Sequence, residues 1–404
     1  MAQRSKSDSP HPEWSASQSA ATDASARAAA AADAVIDRHL RRFAGLPGTL
    51  IGTVAWPASS TTHWHYWWQA HFVDLLVDAE VARPGSVGTA RVGQLLRGIH
   101  LHNLARWTND YYDDMAWLGL AIERARRHLG VGSARGLRVL AGRIHGSWAP
   151  AKGGGIPWRT MDYFFNAPSN GPGAILMART GETERAAAMC DWVHKTLVGD
   201  NGLILDGIKP PPLDDPKGDW QLVRDIYTYC QGVVLGAELE VLRAGGGDRH
   251  RERIGALLTA VEKHLLVDAT VTVDDEERAV RIIPGAGGGD GGLFAGILAR
   301  YLALVATDLP DGAGAADVRA RAARIVLDSA EAVWETRAVV DERPVFSADP
   351  RRPAVIPTAD GAESQFIEGA VRSSETPERD LSVQLSAWKT LEAAARVAGG
   401  IAEH

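Results

Sequence analysis

The sequence predicts an all-α fold, an (α/α)6 toroid with a small β-hairpin in its loops. Three observations point there. Apolar residues recur at three- and four-residue spacing in about twelve separate stretches, as in Phe72, Leu75, Leu76 and Ala79. No strand–helix alternation with a glycine fingerprint supports a parallel sheet. No fixed period of the kind solenoids carry is visible. About twelve helices in one chain of 404 residues fit two concentric rings of six.

Taken in order, residues 1–22 are rich in Ser, Ala, Pro and charge, and are expected to be disordered. Residues 23–404 are expected to form one domain. Helices are predicted near 24–44, 64–82, 88–103, 110–128, 134–146, 170–180, 183–197, 226–244, 249–265, 292–306, 315–335 and 378–398. Gly153–Gly155 and Pro210–Pro212 punctuate them. Thr270–Val273, then Asp274–Glu277, then Ala279–Ile283 reads as a hairpin. Residues 338–356 read as a long loop with a short strand pair.

Composition narrows the function classes. Hydrophobic residues make up 45% and charged ones 23%, ordinary values for a chain that buries a large core. A formal net charge of −7 offers no basic field for nucleic acid or anionic lipid. No run reaches the apolar length of a membrane span. The N-terminal Ala run is broken by Asp23, Arg27 and Asp33, unlike a signal peptide. Only Cys190 and Cys230 are present, with no zinc or disulfide spacing, and free thiols suit a reducing compartment. A cytoplasmic protein is expected. Trp is abundant, at 13 against 7 Phe and 7 Tyr. Its flat apolar face and single N–H suit a sugar ring, although most Trp residues are core.

The most informative stretch is Trp107-Thr108-Asn109-Asp110-Tyr111-Tyr112-Asp113-Asp114-Met115-Ala116-Trp117. It packs three acids among large aromatics at a predicted helix start. A plain reading has Asn109 or Asp110 as the N-cap, with Asp113 and Asp114 favouring the helix dipole. A chemical reading makes the adjacent acids a catalytic pair. Neighbours on a helix diverge by about 100°, yet at a helix end facing a cavity both can reach one substrate. A retaining glycosidase needs its carboxyls only about 5–5.5 Å apart, one ionised and one protonated. Burial beside aromatics and mutual repulsion would separate their pKa values.

This stretch resembles the Tyr-Tyr-Asp-Asp-x-x-Trp motif of glycoside hydrolase family 76, the α-1,6-mannanases. Further motifs follow in the family's order: Gly153-Gly154-Gly155-Ile156-x-Trp158, Ser169-Asn170-Gly171-Pro172, Asp206-Gly207-Ile208, Tyr227-Thr228-Tyr229-Cys230-Gln231-Gly232 and Phe294-Ala295-Gly296-Ile297. Leu381–Trp388 is similar to the family's closing helix, so the resemblance runs from about residue 60 to 395. It implies one (α/α)6 barrel that cleaves α-1,6-mannosidic bonds in mannan or manno-oligosaccharides with retention. Endo action is expected, with no cofactor and no metal. By the same analogy Asp113 is the nucleophile and Asp114 the general acid/base. Asn170, Asp206, Tyr227 and Tyr229 are expected to line the sugar sites, with Asn109, Asp110 and Gln231 as further polar lining. Two residues depart from the pattern. Cys230 stands where the family has Asn, and Ala295 where it often has Lys.

Other signals are weaker. His63, His65 and His71 lack a carboxylate or Cys at ligand spacing and read as a cluster near the cleft rather than a metal site. Gly287–Gly292 lacks the Gly-Lys-Ser/Thr ending of a phosphate loop and reads as a flexible lead into a helix. Three competing functions use the same toroid. A sugar epimerase would need paired His residues, a glycan-binding protein would keep the cleft without turnover, and a transglycosylase would use the same acid pair. The sequence alone leaves endo against exo action, the glycan's source and the oligomeric state open.

Overall fold

Among the described residues, twelve α-helices carry the chain. The fold is that of a computed structural model describing residues 12–150, 153–211, 218–273 and 276–400. The helices are α1 (Pro12–His39), α2 (Tyr66–Ala82), α3 (Thr89–His102), α4 (Tyr112–Leu129), α5 (Ala134–Gly146), α6 (Ala167–Arg179), α7 (Thr183–Leu197), α8 (Thr228–Arg243), α9 (Arg249–His264), α10 (Gly291–Asp308), α11 (Ala315–Glu335) and α12 (Leu381–Gly399). Each falls where apolar periodicity predicts one.

The even-numbered helices form the inner ring. Each packs on the next, and α12 closes the circle against α2. The odd-numbered helices form the outer layer, with α1 against α12, α5 against α4, α7 against α6 and α11 against both α10 and α12. Sequence decides the layer. Inner helices such as α2 bury residues all round, including Phe72, Val73, Leu75, Leu76 and Val77. Outer α5 buries only Gly136, Leu140 and Ile144, one stripe of an amphipathic helix. Close approach within the inner ring uses glycine. A Cβ at Gly296 would fall 2.5 Å from the Ser386 carbonyl oxygen, so α10 and α12 touch backbone to backbone there.

Two sequence expectations are corrected. Disorder was expected over 1–22, but α1 already begins at Pro12; residues 1–11 lie outside the described residues. Proline at the first helical position loses no needed N–H, and the Ala-rich run that follows has high helix propensity. Among the described residues, α10 is the one helix long and apolar enough to cross a membrane, where no such segment was expected. Its apolar surface is taken up by α8, α11 and α12.

The strands are short and lie in the loops. The predicted hairpin pairs Val267–Val273 with Glu276–Ile282, its turn residues 274–275 falling outside the described residues. Ala338–Val340 pairs with Arg343–Val345 inside the predicted loop. A further hairpin that the sequence does not announce, Gln365–Ile367 with Ala370–Arg372, lies between that pair and α12.

Below the mouth of the ring sits a buried ion network. Asp74 of α2 accepts from Lys389 of α12 at 3.2 Å and pairs with Arg124 of α4 and Arg300 of α10. Burial alone would raise the Asp74 carboxyl, yet Arg300, Arg124 and Lys389 hold it well below the carboxylate range. Four inner helices thus meet on one carboxylate.

Candidate active site

The N-terminal ends of five inner helices, α2, α4, α6, α8 and α10, open onto a cavity of about 920 Å³. Its wall takes Trp64–Trp67 from the start of α2, Asp113 and Asp114 from α4, Pro168 from α6, Tyr229 from α8 and Phe294 from α10. Loops add Asn109, Trp158, Asp206, Tyr227 and Asp290. The motifs are far apart in sequence, and the closed ring brings them to one mouth.

Asp113 and Asp114 occupy the first turn of α4. Tyr111 takes the N-cap position and no side chain caps the helix, which corrects the reading of Asn109 or Asp110 as cap. Asp113 Oδ1 accepts from the backbone N–H of Asp114 at 3.0 Å, and Oδ2 accepts from the Trp158 indole at 3.1 Å. Asp114 is held from the other side by the Asn109 amide, whose Oδ1 in turn accepts the Tyr111 N–H at 3.0 Å.

The two acids differ electrostatically. Burial pushes the Asp113 carboxyl up to about 7, and the two N–H donors restrain that rise. Asp114 is pushed well above the ordinary carboxylate range, by burial first and then by repulsion from Asp113. Only the Asn109 amide opposes that rise. The pair is therefore arranged with Asp113 as the readier anion and Asp114 as the readier acid.

Asp206 lines the same cavity, raised to about 7 by burial and by the nearby Asp225. Tyr227 and Tyr229 line it as well. The Tyr229 ring stacks on Phe294 with centroids 4.1 Å apart, and Tyr227 lies against Phe294 at 5.4 Å. Asp110 sits at the rim and accepts from the Thr160 hydroxyl at 3.1 Å. Of the seven residues expected to line the sugar sites, five line the cavity: Asn109, Asp110, Asp206, Tyr227 and Tyr229.

Asn170 and Gln231 are corrected. Neither lines the cavity. Asn170 is fully buried, accepting the Ile156 N–H at 2.9 Å and donating to the Ile156 and Asn166 carbonyls at 2.8 Å each. Gln231, also fully buried, makes the same double bond with Ile204, at 2.8 and 2.9 Å, and donates to the Tyr227 carbonyl at 3.0 Å. Both side chains satisfy loop backbone that no helix or sheet would otherwise pair. They fasten lining loops to α6 and α8 rather than meeting a ligand. Cys230 is fully buried and Ala295 borders a separate small cavity, so neither departure from the family pattern reaches the cleft.

Asp290 escaped the sequence reading. It belongs to the glycine run taken as a flexible lead into a helix, but that run is closely packed. A Cβ at Gly289 would fall 2.2 Å from the Val371 carbonyl oxygen. The Asp290 carboxylate accepts from the Trp67 and Trp68 indoles at 2.7 and 3.3 Å and from the Val371 N–H at 2.7 Å. Burial lifts it to about 6 against those three donors. An acid within a glycine run, just ahead of Phe294, was the available signal. The histidines divide: His65 lines the cavity, while His71 is buried beneath it against Trp117 at 4.5 Å. Among the described residues, Cys190, Glu238 and His250 alone bring three ligand-type atoms within 4.8 Å, and they lie in the core between α7, α8 and α9.

No curated protein matches the chain in sequence. An α-1,6-mannanase from Salegentibacter sp., solved as an inactive variant with two consecutive aspartates replaced by alanine and with α-1,6-mannotetrose bound, is similar in structure. It has a TM-score of 0.73 and 25% identity, covering 93% of this chain and 99% of that one. The unaltered enzyme gives 0.72 and 26%, over 93% and 100%. A family 76 mannosidase from Bacteroides thetaiotaomicron shares the fold at a TM-score of 0.70 and 14% identity, over 93% and 98%. The family model for glycosyl hydrolase family 76 matches residues 27–344, and the chain belongs to that family.

Proposed function

We propose that the protein is a retaining glycoside hydrolase that cleaves α-1,6-mannosidic bonds, with Asp113 as nucleophile and Asp114 as general acid/base. The observation that carries this reading is the asymmetry of the pair at the start of α4. Asp113 accepts two N–H donors that favour its anion, and Asp114 is biased towards keeping its proton. The similar mannanase, inactive when two consecutive aspartates are replaced and still holding an α-1,6-linked tetrasaccharide, supports both the pair and the substrate.

The chemistry follows from these roles. Asp113 attacks the anomeric carbon while Asp114 passes its proton to the departing glycosidic oxygen, leaving a glycosyl ester on Asp113. Asp114, now ionised, takes a proton from water, which attacks the same carbon and frees Asp113. Asn109 keeps Asp114 pointed at the leaving oxygen. Asp206, Asp290, Tyr227 and Tyr229 supply acceptors and donors for the mannose hydroxyls, and Trp67 and Phe294 supply apolar faces.

The test is incubation with α-1,6-linked manno-oligosaccharides, following the anomeric configuration of the first product by proton NMR. Release of α-configured product before mutarotation supports the reading. First-formed β product, or no cleavage of α-1,6 linkages, overturns it.

A further inference from the structure

The hairpin between α11 and α12 lies across the mouth of the cavity. Its turn is Glu368-Gly369, both at positive φ (53° and 94°), the two-residue form that closes a tight hairpin. It is fastened at its base and at its tip. At the base, His65 Nε2 and Ser364 Oγ lie 3.3 Å apart beside the start of α2. Above α10, Val371 donates to the Asp290 carboxylate at 2.7 Å and accepts the Asp290 N–H at 3.0 Å. At the tip, Gly369 lies directly on Trp158; a Cβ there would fall 2.6 Å from the ring. Phe366 meets Tyr111 edge-on with centroids 6.1 Å apart. Trp158 is itself tied to the start of α4, where its carbonyl accepts the Tyr112 N–H at 2.8 Å.

The ring order gives these contacts their meaning. α12 and α2 stand between α10 and α4, so a hairpin held above α10 and resting at α4 passes over the start of α2. The hairpin's Phe366, Gly369, Ala370 and Val371 line the cavity themselves. Tyr66, Asn103 and Asn109 line it from the α2–α4 side of the ring, and Asp206, Tyr227 and Tyr229 from the α8 side. Of the acid pair, Asp113 is bonded to Trp158, the ring on which the tip rests, and Asp114 is turned towards Asn109. The hairpin also lies outside the residues matched by the family model.

We infer that the hairpin is a fixed bar over the cleft, so that the protein takes its glycan by a chain end rather than along its middle. The inference rests on the proposed mannosidase function and departs from the endo action that the resemblance implies. A sugar chain with its scissile bond at the pair has one side beneath the bar. An internal stretch of polymer cannot be laid into that position from above, but a free end can be threaded. Phe366, 56% exposed, presents an apolar face at the point of passage.

The experiment follows product sizes over time from linear α-1,6-mannan, with mannohexaose in parallel. The wild type is expected to release one small product size from the first samples, while the remaining polymer shortens slowly. A ladder of intermediate sizes with an early collapse of mean polymer length overturns the inference and leaves the mannosidase reading intact. No cleavage of either substrate overturns that reading and the inference with it. A second variant, with residues 365–372 replaced by two glycines, is expected to lose the single-product pattern and produce the ladder. If that variant folds and still releases only the single product, the bar is not what selects chain ends. If it does not fold, the wild-type product pattern still decides.

Discussion

Trp158 donates its indole N–H to Asp113 Oδ2 at 3.1 Å, although Trp158 lies in the loop between α5 and α6 and Asp113 in the first turn of α4. That bond favours the ionised form of a carboxyl that burial raises to about 7 even with the bond in place. Removing it while keeping an aromatic ring isolates the effect. Trp158→Phe is expected to lower kcat/KM by about 10- to 100-fold, since a hydrogen bond to a charged group contributes about 1.5–3 kcal/mol. The acid limb of the pH profile should move upwards, because Asp113 loses support for its anion. An unchanged limb with lowered activity would mean that Trp158 acts only as a sugar platform.

Asn170 and Asp206 were assigned the same role from sequence and now separate. Asn170→Ala removes the side-chain partner of the Ile156 N–H and carbonyl in the core, and each unmade bond costs about 1–3 kcal/mol. A clear drop in the urea midpoint is expected, with KM of the folded enzyme nearly unchanged. Asp206→Asn should do the reverse, raising KM or lowering kcat with little change in midpoint. Equal loss of stability in both variants would put Asp206 among the structural residues.

The division of legible from illegible features has a physical reason. All twelve helices could be read because each inner or outer helix repeats its burial pattern over three or more turns. The acid pair could be read because its residues are adjacent. Asn170 and Gln231 were misassigned because a polar side chain in an apolar helix has two uses, and their backbone partners Ile156 and Ile204 are 14 and 27 residues away. Asp290 was missed for the converse reason. Its partners Trp67 and Val371 come from opposite ends of the chain, 223 and 81 residues distant, and only ring closure unites them.

Asp74 offers a test of stability separate from chemistry. Asp74→Asn keeps the shape of the side chain but leaves Arg124, Arg300 and Lys389 around a neutral group. Breaking a buried ion network from one side costs about 3–5 kcal/mol, so a large fall in the urea midpoint is expected near neutral pH. The folded carboxyl lies well below its ordinary value. Its contribution is therefore present above the ordinary carboxylate range and lost as pH falls through the folded value. The gap between wild type and variant should narrow on acidification. A gap that widens towards acid pH would contradict the depressed carboxyl.

The last prediction concerns the two catalytic acids and the pH profile together. With Asp113 needed as an anion and Asp114 as an acid, kcat/KM should rise as pH passes about 7 and fall only where Asp114 loses its proton. The two limbs belong to the pair as a unit, so a change at one acid must move the other. Asp114→Asn removes the alkaline limb. On an activated aryl α-mannoside its first step should largely survive, because a good leaving group needs little protonation. Poor leaving groups should slow by about 10² to 10⁴, the usual range of acid–base assistance. The glycosyl ester should then accumulate, and added azide should release it as the α-azide without help from a base. Asp113→Asn should form no ester with any leaving group. Mass spectrometry of the trapped protein and NMR of the azide product read both outcomes. An α-azide product from Asp113→Asn, with none from Asp114→Asn, would exchange the two roles, and full activity in both variants would leave the pair as nothing more than the first turn of α4.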